Sequence, residues 1–231
     1  YLLGNGTADR PIFFRGVDLT NRPRIASGVL IGHYDASCYL IVENLDLFRV
    51  NLNGPAHHLA LRYCDVHGNA YAGGVAITCY KPPATANHIV LYKNTLHDNG
   101  DWQASYDQDV MGVAITDHVN HVWVLDNEMY HNSGDGLQIL AGSAGQQSTL
   151  HHIYVGRNIS HDNKQSGLWT KQATDVIFSQ NTVYNCYPVG ANPSSPGQGM
   201  GSQYAPERVW FLFNHIYNCA FGIYLASDGG M

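Results

Sequence analysis

HIVLYKNTLHDN, residues 88–99, is the stretch that decides how this chain folds. A short run of alternating apolar residues ends on Asn94, and a second Asn follows five positions later. The phrase recurs. IVEN ends at Asn44, LRYC at Cys64, LYKN at Asn94, VLDN at Asn127, VGRN at Asn158, FSQN at Asn181 and FLFN at Asn214. The steps are 20, 30, 33, 31, 23 and 33 residues, about 28 on average. A period of that length is the mark of a stacked repeat protein.

The register extends beyond one column. Asn69, Asn99, Asn132, Asn163, Cys186 and Cys219 lie five residues after their anchors. Three residues after each anchor from Cys64 onward stands a ring: His67, His97, Tyr130, His161, Tyr184 and Tyr217. Most units then carry a Gly that opens an apolar alternation, at Gly74, Gly112, Gly136, Gly167 and Gly222; GMGS at Gly199 is the best fit for the remaining unit. Each unit therefore reads as three short strands, rich in β-branched and aromatic residues. No segment sustains a helical apolar period, so almost no helix is expected.

Strands this short do not make a sandwich in which every turn repeats the same side chains; stacked coils do. In a parallel β-helix like residues sit about 4.8 Å apart on successive coils. Inward Val, Ile and Leu make a continuous core, and an Asn at each corner bonds its neighbours above and below. Asn also tolerates the left-handed backbone of a sharp corner. Cys64, Cys186 and Cys219 are small enough to take places in such stacks. One coil separates Cys186 from Cys219, within reach of a disulfide, but a column of matched thiols is the favoured arrangement.

The chain of 231 residues has a formal net charge of −6 and only 13% charged residues. It offers no basic stripe for nucleic acid and no apolar run long enough for a membrane span. Residues 1–231 read as one elongated domain. The opening on Tyr1 and the close inside a coil lead to the expectation that the natural protein is longer, with any targeting segment outside this sequence.

Across roughly residues 38–226 the repeated phrase resembles the right-handed parallel β-helix repeat family, which includes pectate-lyase-like enzymes, alginate lyases and mannuronan epimerases. The resemblance implies an all-β, right-handed single-stranded parallel β-helix of about seven coils with an Asn ladder. It also implies secretion or a periplasmic location, and an acidic polysaccharide or oligosaccharide as partner. It is weak for any one activity, because function resides in sites and not in folds.

A solenoid is filled inside, so chemistry belongs on an outer face and its flanking loops. Loops 100–111, 141–149 and 187–198 are long enough to matter. Strand alternation turns Ala114, Thr116, Gln138, Leu140, Trp169, Lys171 and Tyr224 outward from the Gly-opened strands. Trp169, Gln138 and Tyr224 suit a sugar chain, and Lys171 is the candidate catalytic base, since desolvation favours the neutral amine that takes a proton. In lyases of the resembling family a Lys or Arg on this sheet abstracts the C5 proton of a uronate. No Arg falls on this face.

The segment HDNGDWQASYDQDVMG crowds Asp98, Asp101, Asp107 and Asp109 around Trp102 and Tyr106. Asp101, Asp107 and Asp109 are candidate Ca²⁺ ligands, and Asp135 enters the sheet one coil later. Asp107, Asp109 and Asp135 are also candidate catalytic carboxylates, because a glycosidase needs two facing one bond. Trp102, Tyr106 and His118, the last in the turn after GVAIT, complete the candidate substrate contacts. The DPH signature of the epimerases is absent. The other histidines recur with the coil as structural positions do, and no HExxH or CxxC announces zinc. The leading expectation is β-elimination of a uronate polymer. A hydrolase using two Asp, or a non-catalytic glycan-binding or surface solenoid, are the alternatives.

Overall fold

The computed structural model describes residues 1–18, 20–32, 36–71, 73–104, 106, 108–142, 147–188 and 197–226. Among these, every strand pairing is parallel. The single helical element among the described residues is a 3₁₀ turn, Gln147–Thr149. One sheet stacks eight strands: Ile12–Arg15, Cys38–Glu43, His57–Arg62, Ala86–Tyr92, Val119–Leu125, Leu150–Gly156, Thr174–Ser179 and Glu207–Leu212. The first of them adds a coil beyond the seven repeated phrases.

The second sheet has two limbs. The three-residue strands from Asp65–His67 to His215–Tyr217 form one. The Gly-opened strands form the other: Gly73–Cys79, Met111–Thr116, Leu137–Leu140, Leu168–Lys171, Gln198–Gln203 and Phe221–Leu225. The long strand Asp46–Gly54 joins the limbs, pairing with Asp65–His67 and with Gly73–Cys79. The architecture is the expected all-β parallel solenoid.

Inward columns such as Leu59, Ile89, Val122, Ile153 and Val176 are buried throughout and form one continuous core. At the first corner Asn94, Asn127, Asn158, Asn181 and Asn214 form the expected ladder. Each Nδ2 donates to the Oδ1 of the next, at 2.9–3.0 Å. Asn99, Asn132 and Asn163 form a second ladder, both links at 2.9 Å. The ring column stacks outside it with centroids 4.7–5.2 Å apart.

Two details differ from the sequence reading. The left-handed residue at each first corner is not the Asn but the one before it: Lys93, Asp126, Arg157, Gln180 and Phe213, with φ of 53–58°. The Asn is needed for its amide, which satisfies corner backbone groups in the core. The first phrase is also displaced by one residue. Asp46 aligns with Asp65 and Glu43 with Arg62, so Leu45 takes the anchor place and Asn44 the left-handed one, φ 57°. Asn44 instead donates to the carbonyls of Gly16 and Asp18.

The cysteines are free thiols. Burial pushes the Cys64 thiol up to about 12. The Cys186 thiol donates to the Tyr184 carbonyl and the Cys219 thiol to the Tyr217 carbonyl, and the nearness of the two sulfurs raises the first thiol and lowers the second.

Candidate functional site on the glycine-strand face

The Gly-opened strands begin with glycine for a steric reason. A Cβ on Gly74 would stand 2.7 Å from the Asn99 amide, and one on Gly167 would stand 2.6 Å from the Gly199 carbonyl. Gly199 therefore holds the same column as the others. Bare glycines let the strands leave the second Asn ladder in close register, and this register sets the outer face. Ala114, Gln138, Trp169, Gly201 and Tyr224 align in one row across the coils. Thr116, Leu140, Lys171 and Gln203 align in the next.

Trp169 is only 4% exposed. Its ring lies over Gly201, where a methyl group would collide with it, and is 6.4 Å from the half-buried Tyr224 ring at 19°. Gln138, 3% exposed, donates from Nε2 to Asp135 Oδ2 at 2.7 Å. The Ser166 amide donates to Asp135 Oδ1 at 2.9 Å. Burial pushes the Asp135 carboxyl up to about 6. The Lys171 charge and the Gln138 bond oppose the rise, and the Asp109 carboxylate adds to it. Asp135, Asp109, Lys171 and Gln138 thus form one electrostatic group, with Trp169 and Tyr224 beside it. Lys171 is half-buried and Asp109 exposed.

Asp109 has φ 54° and reaches this group because residues 108–110 pack on the next coil. Val110 accepts from the Gly134 amide at 2.8 Å and donates to Ser133 Oγ at 3.3 Å.

The other sequence candidates are more dispersed. Asp101 accepts from the Gln103 amide at 3.2 Å within its own turn. Trp102 stacks on His131 at the second corner, 4.2 Å between centroids, over a shallow pocket of about 290 Å³ with Asp162, Asn185, Tyr187 and Asn218. Tyr106 is 58% exposed. His118 is half-buried in the turn between two strands, its carbonyl accepting from the Ala86 amide at 2.9 Å. Asp107 and parts of loops 141–149 and 187–198 lie outside the described residues. Among the described residues, no three ligand-bearing side chains of the acidic loop converge; the one such group, Asp65, His67 and His97, is on the short-strand limb.

Lys164 escaped the sequence reading. Its side chain is fully buried, its Nζ donates to the Tyr106 carbonyl, and its ammonium lies 5.7 Å from the Tyr106 ring centroid. It fastens the acidic loop to a coil two units along. The signal was present: Lys164 follows a second-column Asn where other units place Ala70, Gly100 and Ser133.

A family model described as "Right handed beta helix region" matches residues 50–198. Among solved structures, the chain is similar to the alginate lyase from Paenibacillus sp. str. FPU-7, at 11% identity and TM-score 0.57, over 93% of this chain and 86% of that one. It is similar to the periplasmic alginate epimerase AlgG at 13% identity and TM-score 0.51, over 82% of this chain and 50% of that one. It is also similar to the A-module of the Azotobacter vinelandii mannuronan C-5 epimerase AlgE6, at 17% identity and TM-score 0.51, over 84% and 55%. The chain spans about half the length of these epimerases. A search of curated proteins finds no match. No helix among the described residues is long and apolar enough to cross a membrane.

Proposed function

The chain belongs to the right-handed β-helix family, and from that premise we propose that it is a carbohydrate-active enzyme that cleaves a uronate-containing polysaccharide by β-elimination. The observation that carries this reading is Lys171, in register with Gln203 and two residues beyond Trp169 on the same outer face. In amine form, Lys171 takes the C5 proton of a uronate. The released electron pair forms the C4–C5 double bond, the C4–O bond breaks, and the leaving oxygen gains a proton. The half-buried Tyr224 carries a sugar ring with the buried Trp169 packed beside it, and Gln138 orients Asp135. Solved structures with this fold include a periplasmic alginate epimerase and an alginate lyase, which supports a uronate polymer outside the cytoplasm, in the periplasm or secreted.

Calcium is a candidate at Asp101, Asp107 and Asp109. The described ligands do not by themselves make a cage, because Asp101 caps its own turn and Asp109 faces the Asp135 group.

A second reading rests on Asp135. A buried carboxyl held near 6 beside a second carboxylate, Asp109, is the pattern of a glycosidase acid paired with a base or nucleophile. Product chemistry separates the two. Elimination leaves an unsaturated, ultraviolet-absorbing sugar end, whereas hydrolysis makes reducing ends without it. A chain that binds the polymer and yields neither product is a glycan-binding solenoid.

A further inference from the structure

The eight-stranded sheet, which does not carry Lys171, has a groove on its outer face. Trp123, Tyr154, Ile177 and Trp210 fall in one row on four successive coils. On the two coils before Trp123 the same row holds only Val90 and Ala60. Alternation turns the row outward: Trp123, Tyr154 and Ile177 are half-buried and Trp210 is exposed. A cavity of about 410 Å³ lies over it, within the size range of small-ligand sites. Tyr154 does not stand off the sheet. A Cβ on Gly156 would collide with its Cε1 and stand 3.0 Å from its Cζ and hydroxyl oxygen, so the bare glycine lets the ring lie down along the strand. A ring in that pose offers its flat face, the surface on which the C–H face of a pyranose packs.

One edge of the groove is polar. A corner column runs two residues before the row: His58, His88, His121, His152, Asp175 and Arg208, all with φ of 52–57°. Its four imidazoles stack with centroids 4.6–5.0 Å apart. Burial and the neighbouring imidazoles hold His121 below its ordinary value, so it is neutral at pH 7. Arg208 donates to Asp175 from Nε at 2.6 Å and from a second nitrogen at 3.0 Å, and holds that carboxyl below its usual range. Each Asp175 oxygen keeps a lone pair for a hydroxyl. At the other edge Arg157 donates to Asp126 twice, at 2.8 Å. Both guanidiniums bordering the groove are thus engaged by carboxylates, which disfavours a polyanion. Eight described residues line the groove, against roughly 20–30 a side in a protein–protein interface, so a narrow chain fits it better than a folded partner. Coils about 4.8 Å apart are close in spacing to the sugar units of an extended polysaccharide.

We propose that Trp123, Tyr154 and Trp210 form a second, non-catalytic carbohydrate-binding site that takes an extended chain of neutral pyranose sugars. The three rings carry sugar units along the solenoid axis, and His121, His152 and Asp175 meet their hydroxyls. The site anchors the protein to a neutral glycan and leaves the Lys171 face open. It does not depend on the elimination reading, because it lies on the other sheet and takes a different class of sugar.

The test is calorimetric titration of cellohexaose, mannohexaose and xylohexaose into the intact chain at neutral pH. At least one is expected to bind, with an affinity that does not change with salt. Tyr154→Ala and Trp123→Ala weaken it about 10-fold or more, and so does Gly156→Ala, which displaces the Tyr154 ring. Tyr154→Phe keeps it. If Trp123→Ala does not fold, the exposed Trp210→Ala answers in its place. Elimination on the uronate polymer is unchanged in Tyr154→Ala, so the two readings fail separately. Three results overturn the proposal. One is that the wild-type chain binds no neutral hexasaccharide. The second is binding that survives both Tyr154→Ala and Trp123→Ala. The third is a uronate hexamer, or a second copy of the chain found by sedimentation, that occupies the row in place of neutral sugar and is lost in Tyr154→Ala.

Discussion

The Trp169 ring lies across Gly201 on the neighbouring coil and extends toward Tyr224, so one glycine makes room for the indole that packs beside Tyr224. A methyl group at Gly201 would meet both the indole and the Tyr224 carbonyl. Gly201→Ala is expected to cost about 1–3 kcal/mol by overpacking and to weaken retention on immobilised uronate polymer. Denaturant unfolding and affinity electrophoresis measure the two effects.

Asp135 predicts a pH dependence of stability. Its carboxyl is near 6 in the folded chain against an ordinary 3.8. The folded state holds the proton more tightly, so stability declines as pH rises from about 4 through 6 and is level above that. The full difference is on the order of 3 kcal/mol. Asp135→Asn removes this slope from urea-denaturation curves collected across that range. Lys171→Ala takes away a positive charge that opposes the rise and steepens the slope.

The asparagine ladder sets a gradient along the solenoid. Asn127 accepts from both the amide and the side chain of Asn94 and donates to Asn158, all in buried surroundings. Asn127→Ala strands those donors, at about 1–3 kcal/mol for each buried group. Asn214, half-buried at the end of the ladder, loses less on the same change. Equal losses in denaturant unfolding would remove the ladder as a major source of stability.

Thr170 faces the core between Ile139 and Ser202, and its buried hydroxyl has no partner among the described residues. Thr170→Val is expected to stabilise the chain by about 1 kcal/mol, read as a higher denaturant midpoint with an unchanged slope.

The fold was legible because a coil repeats its chemistry. The Asn columns, the rings and the Gly-opened strands fall in register in the sequence, and the backbone stacks them in that register. The left-handed corners were less legible. Lys93, Asp126, Arg157, Gln180 and Phe213 share a conformation but no side-chain type, so no residue pattern marked them. Alternation placed Gln138, Trp169 and Lys171 on one face but gave no sign of how deeply the first two are packed. Lys164 was hidden because its partner, the Tyr106 carbonyl, belongs to a loop 58 residues earlier, a distance that only the stacking of coils closes.

The central claim is that Lys171 removes a proton from a uronate. The most direct test follows ultraviolet absorbance while alginate, polygalacturonate and glycosaminoglycans are offered separately to the wild-type chain and to Lys171→Ala. The account predicts rising absorbance on one polymer, abolished by Lys171→Ala while the variant still unfolds in a single cooperative transition. Flat absorbance on every polymer, or a rise that persists without Lys171, contradicts it. Reducing ends that appear without absorbance and vanish in Asp135→Asn would instead establish the hydrolase.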